Sequence, residues 1–360
     1  MEFLPRTSGA RPRLACEIRS EGVVAARADD GSDLLASVSR VPLTKTTLPL
    51  VRVGEAPGSH SFGADRGPVT AAIRKAVDAV SQRGRDVTLI VPDGAVRVLL
   101  LDFDELPSKP AEAQPVVRFR LKKLVPFDVD LGAVSYQILS SARDSIQVLA
   151  VAMPGDLLAE YEGVVRDAGF EPSAVLPSTL AALAGMRDTE RPSLVVNACA
   201  DAVTTAIVQG GALLLHRTVD LASTPASMPE QVQQKTQATS ADTSISAIAA
   251  RLAAVGKPTA VTDPPATSEP RRDHGRAEVA QAVSVAAAYF EDTLESSPAV
   301  VLSAGTLGAA ELTSVIDDAE MRPVAVQEIV DHNMLGVGAS TGGSAIPLGW
   351  LAGVRGALAV

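Results

Sequence analysis

The sequence predicts an α/β chain built as two duplicated lobes, with a small subdomain inserted in the first. Strands and helices alternate along the first 190 residues. Two similar three-strand stretches open the two halves of the chain, at 13–41 and 192–217. Two continuous apolar runs, DVTLIVPD at 86–93 and AVVLSAG at 299–305, have the composition of strands buried on both faces.

The first stretch divides into strands at 13–19, 23–29 and 33–41. Their connections are Ser20-Glu21-Gly22 and Asp29-Asp30-Gly31-Ser32; Asp-Gly in the second supplies positive φ at low cost. A loop rich in Pro, Gly and Ser at 49–67 leads to an amphipathic helix at 68–82, with Val69, Ile73, Ala76, Val77 and Val80 on one side. The run at 86–93 is a buried strand, and 95–103 is expected to pair with it. A helix at 112–125 carries Val117, Leu121 and Leu124 as its apolar stripe, with Arg118 and Lys122 opposite and Pro126 as its stop. Strands at 133–139 and 146–152 follow, then a helix at 154–168 closed by Gly169.

From 223 to 275 Ser, Thr, Pro, Ala and Gln crowd out large apolar residues. Such a segment cannot bury enough surface to offset its ordering entropy, so it is expected to be disordered, apart from one short helix at 245–255. Helices at 277–295 and near 307–318 flank the run at 299–305, and a last strand falls around 323–326. On this reading the first lobe spans 1–190, with its inserted subdomain at about 95–153, and the second spans 191–360.

Composition narrows the function classes. Net charge is −10 and the isoelectric point about 5.0, which argues against a nucleic-acid partner. Aromatic content is 3%, so Val, Leu, Ile and Ala must build the core. Cys16 and Cys199 form no CxxC and read as two small buried thiols in a reducing compartment. His60, His216, His274 and His332 show no metal-ligand spacing, and GASTGG at 338–343 lacks the spacing and lysine of a Walker loop. MEFLPRTSGARPR has no apolar leader region, so a cytoplasmic protein is expected. The tail at 345–360 holds Pro347 and Arg355 and reads as a buried terminal helix rather than a membrane anchor.

The two three-strand stretches superpose at a constant offset of 180 residues: Glu17 falls on Asn197, Ser20 on Ala200, Glu21 on Asp201, Val23 on Val203, Ala26 on Ala206 and Gly31 on Gly211. This layout is that of the actin-like (ribonuclease H-like) fold, in which two such hairpins grip phosphates from opposite sides. A strand-to-helix element, here 300–307, then contacts the adenosine.

RLKKLVPFDVDLGAVSYQIL at 120–139 resembles the stretch that marks the type IV pilus assembly protein PilM, a bacterial actin-like family. The matching residues are Pro126, Phe127, Asp128, Asp130, Tyr136 and Gln137. The order of elements from Arg13 to Gly305 is similar too, and the insert at 223–275 is the main departure. The resemblance implies a cytoplasmic scaffold, peripheral to the inner membrane, that binds the N-terminal tail of a PilN-like protein and works with other platform proteins. It places Phe119, Leu124, Pro126, Phe127 and Tyr136 near the partner peptide.

In that family the phosphate hairpins carry Asp-Ile-Gly. This chain has Glu17-Ile18-Arg19-Ser20-Glu21 and Asn197-Ala198-Cys199-Ala200-Asp201. The third element keeps Ser303, Ala304 and Gly305 but lacks a Gly-Gly run. Glycines let backbone N–H groups approach a phosphate, and a Cβ where positive φ is needed costs about 1 kcal/mol. The resemblance therefore implies a former ATPase: no catalytic residue, no resident cofactor, and weak binding of ATP and Mg²⁺ at most, through Glu17, Ser20, Asn197, Ala200, Asp201, Ser303, Ala304 and Gly305. Asn197 reads as a strand-end residue bonding backbone. Phe127 and Tyr136 read as core, and Arg118, Arg120, Lys122 and Lys123 as a solvated helix face with an anionic lipid or acidic partner as the alternative.

Three functions stand open at this point. They are a non-hydrolysing pilus scaffold, an active actin-like ATPase of pilus assembly or type II secretion, and a membrane-attached filament-forming homologue of the cell-division type.

Overall fold

The computed structural model describes residues 12–28, 34–44, 46–54, 58–141, 145–186, 190–221, 270–319, 324–336, 339 and 346–359. Those from 12 to 221 and from 275 to 359 belong to one compact unit. The Asp29–Ser32 turn, the helix expected at 245–255 and the GASTGG segment, apart from Ala339, lie outside the described residues.

Two five-stranded sheets repeat one topology. The first comprises β1 (Leu14–Arg19), β2 (Gly22–Ala28), β3 (Leu35–Pro42), β4 (Asp86–Val91) and β8 (Glu171–Pro177), in the order β3-β2-β1-β4-β8. The second comprises β9 (Ser193–Ala198), β10 (Ala202–Gln209), β11 (Ala212–Asp220), β12 (Val300–Gly305) and β13 (Val326–Glu328), in the order β11-β10-β9-β12-β13. In each sheet the opening strand pairs antiparallel with the second and parallel with the fourth, so the internal repeat is a true duplication of the sheet. The third sheet, β5 (Arg97–Phe103), β6 (Gly132–Ser141) and β7 (Ile146–Pro154), has the order β5-β7-β6 and forms the small subdomain.

Here one expectation fails. The strand at 97–103 pairs antiparallel with β7, not with β4. Pro92 and the single turn at Asp93–Ala95 redirect the chain, and the run of apolar residues on both sides of the turn hid the change of sheet.

Helix α1 (Arg66–Asp78) and helix α3 (Gly155–Asp167) cover one face of the first sheet, burying Val69, Ile73, Val77, Leu157 and Tyr161. Helix α2 (Pro110–Leu121) covers the small sheet through Val117 and Leu121. It stops at Leu121, short of the expected 125, and turn bonds from Leu124 and Val125 to the Leu121 carbonyl carry the chain to Pro126. Helix α4 (Ser178–Ala184) follows β8; neither element was predicted. Helices α5 (Pro270–Leu294) and α6 (Ala309–Asp318) cover the outer face of the second sheet. The last strand falls at Val326–Glu328, later than expected.

The terminal helix α7 (Ala352–Leu358), which the sequence groups with the second lobe, packs on α4, β1 and β2 of the first. Small residues permit this: a Cβ on Gly356 would collide with the Ala181 carbonyl, and Arg355 donates to the Gly185 carbonyl. Val354 and Ala357 are fully buried, as expected of a core helix. Among the described residues no helix is long and apolar enough to cross a membrane.

The central layer, shared by α4, α7 and the facing sides of both sheets, joins Ala15, Val24, Leu180 and Val354 to Val195, Ala206 and Ala304. Removing residues 352–360 should therefore abolish the cooperative thermal transition. A truncated chain that melts as the full one does would contradict this packing.

Candidate functional site

Strand periodicity sets the site. In β1, Leu14, Cys16 and Ile18 join the outer core, so Ala15, Glu17 and Arg19 point to the central layer. In β9, Leu194, Val196 and Ala198 face the helices α5 and α6, so Val195 and Asn197 enter the same central layer from the other lobe. Two strand ends thus aim Glu17, Arg19 and Asn197 at one another.

Arg19 sits at the crossing, 3% exposed. Its Nη2 lies 2.6 Å from Glu17 Oε1, its Nη1 donates to Cys199 Sγ at 2.9 Å, and Nη2 is 3.5 Å from Ser178 Oγ. Ser178 Oγ donates to Glu17 Oε1 at 2.6 Å. The Trp350 ring lies 5.8 Å from the guanidinium and stacks under Arg40 at 3.9 Å. Gly353 of α7 presses on Glu17, where an added Cβ would stand 2.5 Å from Oε2.

Asn197 corrects the sequence reading. Its amide bonds side chains, not backbone: Nδ2 reaches Ser178 Oγ and Thr179 Oγ1 at 2.9 Å each and Asp93 Oδ2 at 3.2 Å. Thr179 completes the cluster, donating to Asp93 from its backbone N at 3.0 Å and its hydroxyl at 2.5 Å. An aspartate at 197 would set a carboxylate against Asp93, so the neutral amide is what this cluster accepts.

The second bridge involves Glu21. Its Oε1 accepts from the Ala200 backbone N–H at 2.7 Å and from Thr306 Oγ1 at 2.9 Å, while Ser20 Oγ donates to Oε2 at 3.0 Å. Asp201 stands at the same crossing, where burial pushes its carboxyl above the ordinary range, Ser20 lowers it and Glu21 raises it. Glu21 thereby presents carboxylate oxygens to a turn amide and a hydroxyl, donors of the kind an oxyanion takes.

Of the residues predicted for a nucleotide, Glu17, Ser20, Asn197, Ala200 and Asp201 meet at this crossing. Gly305 joins them at φ +91°, and a Cβ there would lie 2.5 Å from the Ala198 carbonyl. Ala304 lies in register beside Asn197 on the central-layer face, whereas Ser303 pairs with the outward-facing Val196 and its Oγ donates to the Leu307 carbonyl at 2.6 Å. Arg19 and Cys199 sit at ordinary negative φ, since Glu295 is the sole non-glycine with positive φ among the described residues. Side-chain bulk, not backbone strain, is what replaces the glycines. Cys199 is partly exposed, unlike Cys16.

The partner-peptide residues separate. Leu124, Phe127 and Tyr136 pack with α2 and the small sheet, Pro126 is half-buried beside them, and Phe127 also reaches the first lobe's outer core. Phe119 stands apart, 65% exposed. Arg118 is not a solvated cation: Nη1 donates to the Val129 and Gly132 carbonyls at 2.5 and 3.1 Å.

Burial pushes the Glu17 carboxyl above its ordinary range, and Arg19 and Ser178 pull against that without reversing it. Burial opposes the Arg19 charge as well, but the acidic neighbours Glu17, Glu21 and Asp93 pull the other way and its pKa rises. Burial likewise pushes the Cys199 thiol up. Asp93, Ser178, Thr179 and Thr306 were not anticipated.

Removing one member of a buried pair strands the other. Arg19→Ala should cost roughly 3–5 kcal/mol in urea unfolding, and Glu17→Gln with Arg19→Met should recover most of it. Equal loss in both variants would show that the pair is not the source.

No family model and no curated protein matches this chain. Among solved structures, that of the PilM-PilN type IV pilus biogenesis complex aligns over 96% of this chain and 98% of that one, at 16% identity and a TM-score of 0.65. A protein of Bacteroides thetaiotaomicron with an actin-like ATPase fold and unknown function aligns over 90% and 92%, at 9% identity and TM-score 0.44. The cytoplasmic domain of EpsL, an inner membrane component of the type II secretion system of Vibrio cholerae, aligns over 58% and 71%, at 13% identity and TM-score 0.38. Scores that low add no argument. With its duplicated five-stranded sheets and full-length alignment, the chain has the actin-like fold of PilM.

Proposed function

We propose that the chain is a non-hydrolysing scaffold of a type IV pilus assembly platform. On this reading it is cytoplasmic, docks the N-terminal tail of a PilN-like protein, meets other platform proteins, and reaches the inner membrane through that partner. It needs neither ATP nor Mg²⁺ and has no catalytic residue.

The observation that carries the reading is the double bridge across the two hairpins. Arg19 reaches Cys199, and Glu21 reaches Ala200 and Thr306, so these groups that would face a nucleotide bond one another, while Glu17 Oε2 and Arg19 Nε keep no hydrogen-bond partner among the described residues. A triphosphate entering there would meet the Glu21 carboxylate, which repels it, and would have to displace several hydrogen bonds to charged groups, each worth about 1.5–3 kcal/mol.

The small subdomain is the proposed seat of the tail. Among the described residues no strand pairs with the outer edge of β6, and Ile138 on that strand is 46% exposed. An open edge offers unpaired N–H and C=O groups to an extended peptide, with apolar side chains for register. Pro126, Phe127 and Tyr136 would shape the floor beneath it.

The test is calorimetric titration of a synthetic N-terminal tail peptide of the PilN-like protein encoded in the same genome. Saturable binding is expected, weakened at least tenfold by Ile138→Asp with the melting temperature retained. Absence of binding would remove the pilus reading.

A further inference from the structure

Phe119 and Leu131 are each 65% exposed, in a chain whose other large aromatics are scarce. They belong to one corner. Arg118 ties α2 to the 129–132 turn through two backbone carbonyls, and Lys122 Nζ lies 2.5 Å from Asp130 Oδ2, beside Leu131. Phe119 is one helical turn before Lys122, and Lys123 Nζ stands 5.6 Å from its ring. Arg120 is exposed on the same end of the helix.

The corner is basic where the chain is acidic. Over residues 118–131 the cations Arg118, Arg120, Lys122 and Lys123 outnumber the acids Asp128 and Asp130, while the whole chain carries −10. Asp128 is occupied in capping the turn through the Asp130 N–H at 2.9 Å. An anionic surface repels this protein from most directions and attracts it here.

We propose that this corner rests on the anionic head groups of a lipid bilayer, with Phe119 and Leu131 inserted at the interface and Arg120, Lys122 and Lys123 over the phosphates. Two side chains that protrude, rather than line a groove, need a deformable apolar phase to bury them; an acidic peptide offers none. Cations around the inserted pair add attraction to anionic lipid that salt screens. The contact is weak by itself and orients the molecule. It does not rest on the tail reading, because lipid vesicles contain no protein partner.

The test is co-sedimentation of the full chain with phosphatidylglycerol vesicles and with phosphatidylcholine vesicles. Binding to the first and not the second is expected, falling at high salt. Each positive charge removed lowers partition by roughly fivefold, so Arg120→Glu with Lys123→Glu should reduce it more than tenfold. Phe119→Ser with Leu131→Ser should abolish it, and both double variants should melt as the parent does. No sedimentation with phosphatidylglycerol, undiminished binding by either double variant, or loss of vesicle binding on saturation with tail peptide would overturn the proposal.

Discussion

A guanidinium cannot lie in a protein interior without acceptors arranged around it in advance. Arg19 meets that constraint with groups from three places: Glu17 on its own strand, Ser178 at the start of α4, and Cys199 on the opposite hairpin. Each of these is fixed in turn. Ser178 donates to Glu17 and receives Asn197, and Asn197 receives its place from Asp93 and Thr179. The meeting of the two lobes is thus a connected polar cluster in which loss of one member strands the next.

That cluster recasts what the duplicated fold does. In an actin-like nucleotidase the lobes face each other across bound phosphates; here the facing strand ends carry their own ion pair and amide. Glu21 extends the substitution outward, giving the turn amide of Ala200 and the hydroxyl of Thr306 an internal carboxylate. The terminal helix adds a third wall, since Gly353 lies against Glu17 and Trp350 against Arg19. A rigid body of this kind suits docking, where preformed surfaces avoid ordering costs. On the proposed reading, the unpaired β6 edge and the basic, apolar corner of the small subdomain are those surfaces.

Much of this was legible because strand periodicity and turn residues speak plainly. The 180-residue repeat found the three opening strands of each five-stranded sheet, and Glu17, Asn197 and Asp201 were already named as candidate site residues. Arg19 was visible only as a missing glycine, because Ser178, which joins it to Glu17 and Asn197, lies in residues 171–184. That stretch gives no period: every residue of α4 is buried, and Pro172 and Pro177 mask β8 as a loop. Asp93 was quoted as the end of a strand, with nothing local to say that Thr179 and Asn197 would meet it. Positive φ is not what excludes phosphate at Arg19 and Cys199: neither sits there, and their side chains occupy the space.

The central claim is that the protein's own charges stand where a triphosphate would bind. Thermal unfolding with and without millimolar Mg-ATP tests it most directly, because a ligand at 100 times its Kd adds about 2.7 kcal/mol of stability. The account predicts superimposable melting curves. A melting temperature that climbs with nucleotide concentration, and does so for ATP but not for free phosphate at equal ionic strength, would contradict it.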